Sequence, residues 1–244
     1  MPEQPYLSVV IPAYNEERRV VSTLRQVTDF LRGQGYTWEV VVVDDGSTDG
    51  TAALVEEFAR YQEGVSLLRI PHGGKGWAVK RGMLHAGGEY RFLCDADLSM
   101  PIEQLPLFLP PNTGGCDIAV GSREAPGALR VSEPALRHLM GRVYNLLVRL
   151  FLVHNLRDTQ CGFKCFRGDT THELFSLQRL SGFGFDIEVL FLSQKRGLRV
   201  CEVPIEWYYR SRSKVSPLRD TLAMTWDILR VRWFHFRGKY PPPQ

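Results

Sequence analysis

The chain has 244 residues, of which 44% are apolar and 23% charged, and its net charge is +3. That balance fits one large globular domain or two small ones. It excludes disordered, collagen-like, coiled-coil and repeat architectures.

Leu7–Ile11 is a short β-branched run closed by Pro12 and reads as a buried parallel strand. Residues 16–32 follow with helical spacing of Val20, Leu24, Val27, Phe30 and Leu31. Glu39–Val43 is a second buried strand, ended by Asp44-Asp45-Gly46-Ser47. Ser47 or Asp49 can cap the next helix, whose inner face carries Leu54, Val55 and Phe58. Val65–Ile70 is a third strand, and Lys75–Ala86 a helix behind a glycine-rich entry. Tyr90–Cys94 is a fourth strand, running into Asp95-Ala96-Asp97, and Asp117–Val120 a fifth. Residues 135–153 form a helix with Leu136, Met140, Val143, Leu147 and Phe151 on one side. Val200–Tyr209 is strand-like, and residues 218–238 form a last helix with Leu222, Trp226, Leu229, Trp233 and Phe236 on one stripe. The β-α-β alternation predicts an α/β fold: a Rossmann-like, mostly parallel sheet with helices on both faces and C-terminal amphipathic helices added. Residues 1–217 form the main domain, and the helix and tail at 218–244 belong with it. Ligands of such sheets bind beyond the carboxyl ends of the strands.

No apolar run approaches the roughly 20 residues that cross a bilayer. Met1-Pro2-Glu3-Gln4-Pro5 reads as a mature cytosolic start, lacking the basic and apolar regions of a signal peptide. The five cysteines (94, 116, 161, 165, 201) read as reduced structural thiols, because their spacing matches neither a zinc site nor a disulfide framework. Residues 121–157 carry a balance of +4 and residues 204–240 of +5, which leaves −6 for the remainder. Two basic segments on a mildly acidic body suit an anionic partner: phosphate, a membrane surface or nucleic acid.

Three strand ends are polar: Tyr14-Asn15-Glu16, Asp44-Asp45 and Asp95-Ala96-Asp97. Asp95 and Asp97 repel each other unless a cation joins them, and a hard ion such as Mg²⁺ or Mn²⁺, bound also to a diphosphate, satisfies both. An Asp-rich turn is the bland alternative; the buried strand before the pair and the two other polar ends favour metal. Gly73-Gly74-Lys75-Gly76 lacks the Ser/Thr of a P-loop and the Gly-x-Gly-x-x-Gly of a dinucleotide site. It is either a backbone approach to a nucleotide, with Lys75 near phosphate, or a flexible entry to a helix.

Taken together, Ser8-Val9-Val10-Ile11-Pro12-Ala13-Tyr14-Asn15-Glu16-Glu17, Val42–Thr51, Gly74-Lys75-Gly76 and Asp95-Ala96-Asp97 resemble the family-2 glycosyltransferases. The resemblance implies the GT-A fold and a nucleotide-sugar donor. It further implies that Pro12, Tyr14, Glu16 and one of Asp44 or Asp45 hold the nucleoside, with Lys75 and Ala96 in the same donor site. Asp97 with Asp95 would hold the metal on the donor diphosphate.

In the second half, Gly121-Ser122-Arg123, Asp158–Lys164, Phe185–Leu190 and Ser213-Lys214-Val215-Ser216 are similar to the branch acting on polyprenyl phosphates, the dolichyl-phosphate β-glucosyltransferases, with the mannosyl enzymes as cousins. The eukaryotic glucosyl enzymes carry an N-terminal membrane anchor that this sequence does not show, and Ser99 stands where the mannosyl cousins often have a Gln. The resemblance implies inverting transfer of glucose from UDP-glucose to a polyprenyl phosphate. Arg123, Arg137, Arg210, Arg212 and Lys214 are the candidate cations for the acceptor phosphate, since a guanidinium fork suits phosphate oxygens. Trp and Phe opposite Arg on residues 135–153 and 218–238 suit peripheral contact with the cytoplasmic face of a membrane.

Asp186 is a general base if the acceptor is a hydroxyl; an ionised phosphate needs none. The alternatives are a family-2 enzyme using GDP-mannose, UDP-GlcNAc or a hydroxyl acceptor, a sugar nucleotidyltransferase, and a non-enzymatic nucleotide or RNA binder. The last lacks an RNA motif or aromatic-rich sheet face, so nucleic acid is not an expected partner.

Overall fold

A computed structural model describes residues 4–209 and 217–241. Its first half follows the expected alternation: β1 (Leu7–Ala13), α1 (Val20–Arg32), β2 (Trp38–Asp45), α2 (Thr51–Tyr61), β3 (Val65–Ile70), α3 (Lys75–His85) and β4 (Tyr90–Leu93). A 3-10 segment, Ile102–Phe108, leads to β5 (Ile118–Ser122), β6 (Leu129–Val131) and α4 (Ala135–Phe151). Then come β7 (Lys164–Arg167), α5 (Gly168–Leu177), α6 (Phe185–Lys195), β8 (Val200–Pro204), β9 (Glu206–Tyr208) and α7 (Pro217–Phe236).

The seven-stranded sheet has the order β3-β2-β1-β4-β7-β5-β8, and β6 pairs with β9 in a small second sheet. All neighbours in the large sheet run parallel except β7, which lies antiparallel between β4 and β5. The sequence reading contains no strand there: Lys164-Cys165-Phe166-Arg167 is short and polar at both ends, and only the sheet on either side makes it a strand. The strand-like Val200–Tyr209 divides at Ile205, whose N–H donates to Ser122 O at 3.2 Å, so its two halves join different sheets.

β2 explains why the strands are apolar at consecutive positions. Val41 and Val43 face a core built with α3, α6 and α7, whereas Val40 and Val42 face a core built with α1 and the 3-10 segment. A strand covered on both faces has no polar side. Ile228, Val231 and Tyr240 join the first of these cores, so α7 packs into the same body as the sheet.

The helix at 135–153 is present, but its stripes are assigned differently. Tyr144, Val148 and Leu152 are buried, Leu147 packs against the core and Met140 borders a cavity. Val143 and Phe151 face outward instead, with Leu139, Leu146 and Leu150, each more than half exposed. Trp226, Leu229, Trp233 and Phe236 of α7 are likewise more than half exposed. The side chains of Leu136 and Leu222 lie outside the described residues. Among the described residues no helix is long and apolar enough to cross a membrane.

Candidate active site

β1 and β4 are neighbours whose crossovers leave in opposite directions, so a crevice opens beyond their carboxyl ends. The crevice is a cavity of about 620 Å³. Pro12, Tyr14, Glu16, Asp45, Lys75 and the Asp95–Asp97 segment border one end. Arg123, Arg137 and Asp186 border it further along, and Met140, Gly141, Tyr144 and Met224 border it where α4 meets α7. Of the described candidates only Asp44 stays outside: it is buried, and its Oδ1 accepts the Ser47 N–H at 3.3 Å. Arg210, Arg212 and Lys214 lie outside the described residues.

The ends of β1 and β2 interlock. Asn15 N–H donates to Ser47 Oγ at 2.9 Å, and Thr48 N–H returns a bond to Asn15 Oδ1 at 2.8 Å. Glu16 N–H donates to Thr51 Oγ1 at 2.7 Å, while Gly50 N–H donates to Glu17 Oε2 at 2.9 Å. Much of the Tyr14–Glu17 and Ser47–Thr51 pattern is thus occupied with holding two strand ends together.

Asp45 has a similar task. Its oxygens accept the Gly73 and Gly74 N–H groups at 2.8 and 2.9 Å, and His72 Nδ1 lies 2.9 Å from Oδ2. His72 in turn stacks on Tyr14, with centroids 4.3 Å apart. A buried carboxylate therefore sets the path of the chain into α3.

That path resolves the two readings of the glycine-rich entry. Gly74 has φ +99°, and a Cβ there would lie 2.8 Å from Ser181 O. A Cβ on Gly76 would lie 2.7 Å from Gly182 O and 2.8 Å from Leu180 O. The glycines let the first turn of α3 dock on the backbone of residues 180–182, so close packing accounts for both of them.

Lys75 emerges from this seam. Its ammonium lies 2.8 Å from Asp95 Oδ1 and 5.8 Å from the centroid of the Phe183 ring. Burial alone would lower its pKa, but Asp95, with Asp186 and Asp97 behind it, outweighs burial and raises it. Asp95 backs against Gly162, where a Cβ would come within 1.8 Å of Oδ2. Asp97 Oδ1 accepts the Ser99 N–H at 3.0 Å.

These residues fit a divalent cation. The donors are hard carboxylate oxygens, a cation (the Lys75 ammonium) already stands against one of them, and the pair occupies a cavity rim. Among the described residues no third His, Cys, Asp or Glu completes a metal cluster. An ion here would draw its other ligands from a diphosphate or water, which is how Mg²⁺-type ions bind phosphates.

Deeper in, Asp186 opens α6 and pairs with the buried Lys164 at 2.6 Å. Burial raises the Asp186 pKa, and the pull of Lys164 and Lys75 does not cancel it. Lys164 also donates to Cys161 O. Nothing local in the sequence gives either end of the Asp158–Lys164 motif a role; the one signal for the lysine is its place between Cys161-Gly162-Phe163 and Cys165-Phe166.

Asp158 is the second such group. It is fully buried, and Arg123 grips it with Nε at 2.6 Å and Nη2 at 2.9 Å. Burial would raise the Asp158 pKa, but Arg123 holds it well below the usual carboxylate range. Arg123 also lies over Trp207, with Cζ 5.4 Å from the ring centroid. It reaches the cavity as part of an ion pair, not as an isolated cation. Arg137 packs over Tyr209 at 5.1 Å. Arg130, which the sequence reading also passed over, borders the cavity and pairs with Glu124 at 2.6 Å and with Glu133.

A parallel sheet with a crevice at its switch point, rimmed by paired carboxylates and a lysine, is the frame of a GT-A glycosyltransferase. Residues 8–175 match the glycosyl transferase family 2 profile, and the chain belongs to that family. Its curated relatives include the dolichyl-phosphate beta-glucosyltransferase ALG5D of Trichomonas vaginalis, 36% identical over 95% of this chain and 74% of the relative. The dolichyl-phosphate beta-glucosyltransferase of Saccharomyces cerevisiae is 31% identical over 98% of this chain and 77% of its own length. Among solved structures, glucosyl-3-phosphoglycerate synthase of Mycobacterium tuberculosis shares the fold. Its complex with Mn²⁺, UDP-glucose and phosphoglyceric acid aligns at a TM-score of 0.66 and 19% identity, over 98% of this chain and 81% of that one.

Proposed function

We propose that this glycosyltransferase moves glucose from UDP-glucose to a polyprenyl phosphate of the dolichyl type, with inversion, at the cytoplasmic face of a membrane. The observation that carries this reading is the extent of the cavity. It runs from the Asp95–Asp97 rim to the seam of α4 and α7, the two helices whose outer faces are apolar. A polar donor end and an apolar exit suit an anionic head on a hydrocarbon tail. The names of the curated relatives support the same donor sugar and acceptor.

In this reading Asp95 and Asp97 would hold Mg²⁺ or Mn²⁺, which would supply Lewis-acid stabilisation of the departing diphosphate. Lys75 adds a fixed cation at the same rim, where negative charge grows as the sugar–phosphate bond breaks. Asp45, with Tyr14 and His72, shapes the nucleoside end. An acceptor phosphate is ionised at neutral pH and attacks without a proton acceptor, so Asp186 orients through Lys164 instead of serving as base. Arg137 gives the acceptor end its positive charge beside the Arg123–Asp158 pair, and the exposed leucines and tryptophans of α4 and α7 rest in the lipid interface, with Arg142, Arg149, Arg230 and Arg232 exposed beside them.

The test is incubation with labelled UDP-glucose, GDP-mannose or UDP-GlcNAc and short polyprenyl phosphates, with and without Mg²⁺. Label from UDP-glucose should enter the lipid extract only with metal, and Asp97→Ala should abolish it while leaving the fold intact. Lipid label from another donor, or glucose on a hydroxyl acceptor, would overturn the reading.

A further inference from the structure

Glu188 is a carboxylate in α6 with no solvent exposure, and no catalytic step above uses it. Burial pushes its pKa up, which marks the cost of keeping a charge there. Four hydrogen bonds meet it. Arg179 N–H reaches its two oxygens at 2.9 and 3.0 Å, Leu180 N–H donates at 2.7 Å, and Tyr240 Oη donates at 2.5 Å.

The donors come from two parts of the machine. Residues 180–182 form the backbone shelf on which α3 begins: Trp77 N–H donates to Ser181 O at 3.1 Å. Gln178 Nε2 bridges Gly76 O and Leu180 O, both at 2.8 Å. Lys75 sits in this turn, beside Asp95 and over Phe183. Tyr240 stands just beyond α7, where the chain turns back at Gly238 and buries its ring against Phe191 and Phe234. A second tie joins the same two regions, from Arg179 Nη2 to Lys239 O at 3.1 Å.

We propose that Glu188 and Tyr240 are positioning residues: they clamp the 178–182 shelf to the C-terminal end of α7 and so fix Lys75 at the donor end of the site. The clamp makes the placement of that ammonium depend on the seating of the helix with the outward apolar stripe. An ammonium on a long stem must be held to within a fraction of an ångström to act on a diphosphate, and its backbone shelf supplies that restraint. The choice of a carboxylate follows: only an acceptor-only group can receive three N–H and O–H donors that converge on one buried point.

The kinetic arm of the test rests on the donor reading above; the exchange arm does not. Amide hydrogen exchange is followed on the full chain carrying Glu188→Gln, Tyr240→Phe or both. Exchange should quicken roughly tenfold at residues 75–78 as well as 179–182, with β1 and β2 unchanged. The effects of the two substitutions should be less than additive in the double variant, because the residues share one hydrogen bond. With UDP-glucose as substrate, donor KM should rise roughly tenfold while acceptor KM stays within about twofold. Quickened exchange confined to 179–182, or a fall in kcat with both KM values unchanged, would overturn the proposal. If Glu188→Gln does not fold, Tyr240→Phe decides by the same readouts. If the wild-type chain turns over no UDP-glucose, the donor reading fails and exchange at 75–78 still decides the clamp.

Discussion

The Lys75 ammonium lies 2.8 Å from Asp95 Oδ1, so one carboxylate of the Asp-x-Asp pair already holds a cation at the place where a divalent ion would sit. A divalent ion at Asp95 would therefore compete with the lysine until a diphosphate supplied charge for both. Lys75→Met should tighten Mn²⁺ binding in the absence of nucleotide by roughly tenfold or more, since two cations a few ångströms apart repel by a few kcal/mol at an effective dielectric near 20, more than the about 1.4 kcal/mol that tenfold requires. The same variant should slow transfer. Titration of free Mn²⁺ by electron paramagnetic resonance reads the first effect, and an unchanged affinity would reject the competition.

The Arg123–Asp158 pair makes a second prediction, about stability and pH. Asp158 is buried and its pKa is depressed by Arg123. A depressed native pKa contributes stability above the unfolded value, about 3.9, and loses it as the pH falls toward the native value. Asp158→Asn strands the guanidinium, and should cost about 3–5 kcal/mol at pH 7. The gap from wild type should narrow below about pH 4. Urea midpoints at pH 7 and pH 3 measure both; a gap constant with pH would show that the pair carries no linkage.

The seam beneath α3 predicts opposite outcomes for two glycines. Gly76→Ala drives a Cβ to 2.7–2.8 Å from two backbone oxygens that cannot rotate away, and overpacking of this kind costs roughly 1–3 kcal/mol. Gly141, inside α4, has nothing within 4 Å of its Cβ position. Gly141→Ala should raise stability by roughly 0.5–1 kcal/mol through helix propensity. Denaturant midpoints of the two variants should move in opposite directions.

A fourth prediction concerns the outer face of α7. Trp226 and Trp233 are more than half exposed, so replacing both by Ser should leave the melting temperature nearly unchanged. Flotation with vesicles containing anionic lipid should nevertheless fall by roughly tenfold or more, since each indole removes well over 1 kcal/mol of apolar burial in the interface. Equal flotation of variant and wild type would remove the membrane from the picture.

Much of the site was legible in the sequence because parallel strands announce themselves. The runs at Leu7 and Glu39 had to be apolar on both faces, and the polar residues at strand exits had to fall at one edge of the sheet. That logic singled out the exits at Tyr14–Glu16, Asp44–Asp45 and Asp95–Asp97, the family resemblance added Pro12 and the glycine-rich entry added Lys75; all but Asp44 and Asn15 border one cavity. It could not separate Asp44 from Asp45, because alternation along a strand sends one carboxylate into the interlocked turn and the other toward the loop before α3. The outward stripe of α4 was misassigned for a related reason. Residues at Met140, Val143 and Leu147 satisfy helical periodicity, yet the docking of Tyr144 and Val148 chose which side turned inward.

The sequence by itself determined the alternation from β1 to β4, the helices at 135–153 and 218–238 and the residue types at the strand exits, since these follow from local chain geometry and the period of burial. Only the tertiary structure decided the pairings that cross the chain: β7 inserted antiparallel, Lys75 against Asp95, Arg123 against Asp158, and Glu188 beneath Tyr240. Those partners lie from 20 to 52 residues apart in sequence, except where β4 meets β7 at a still greater separation. No local propensity encodes them. They form because a charge taken out of water must find its counterpart wherever packing of the two cores has brought one within reach.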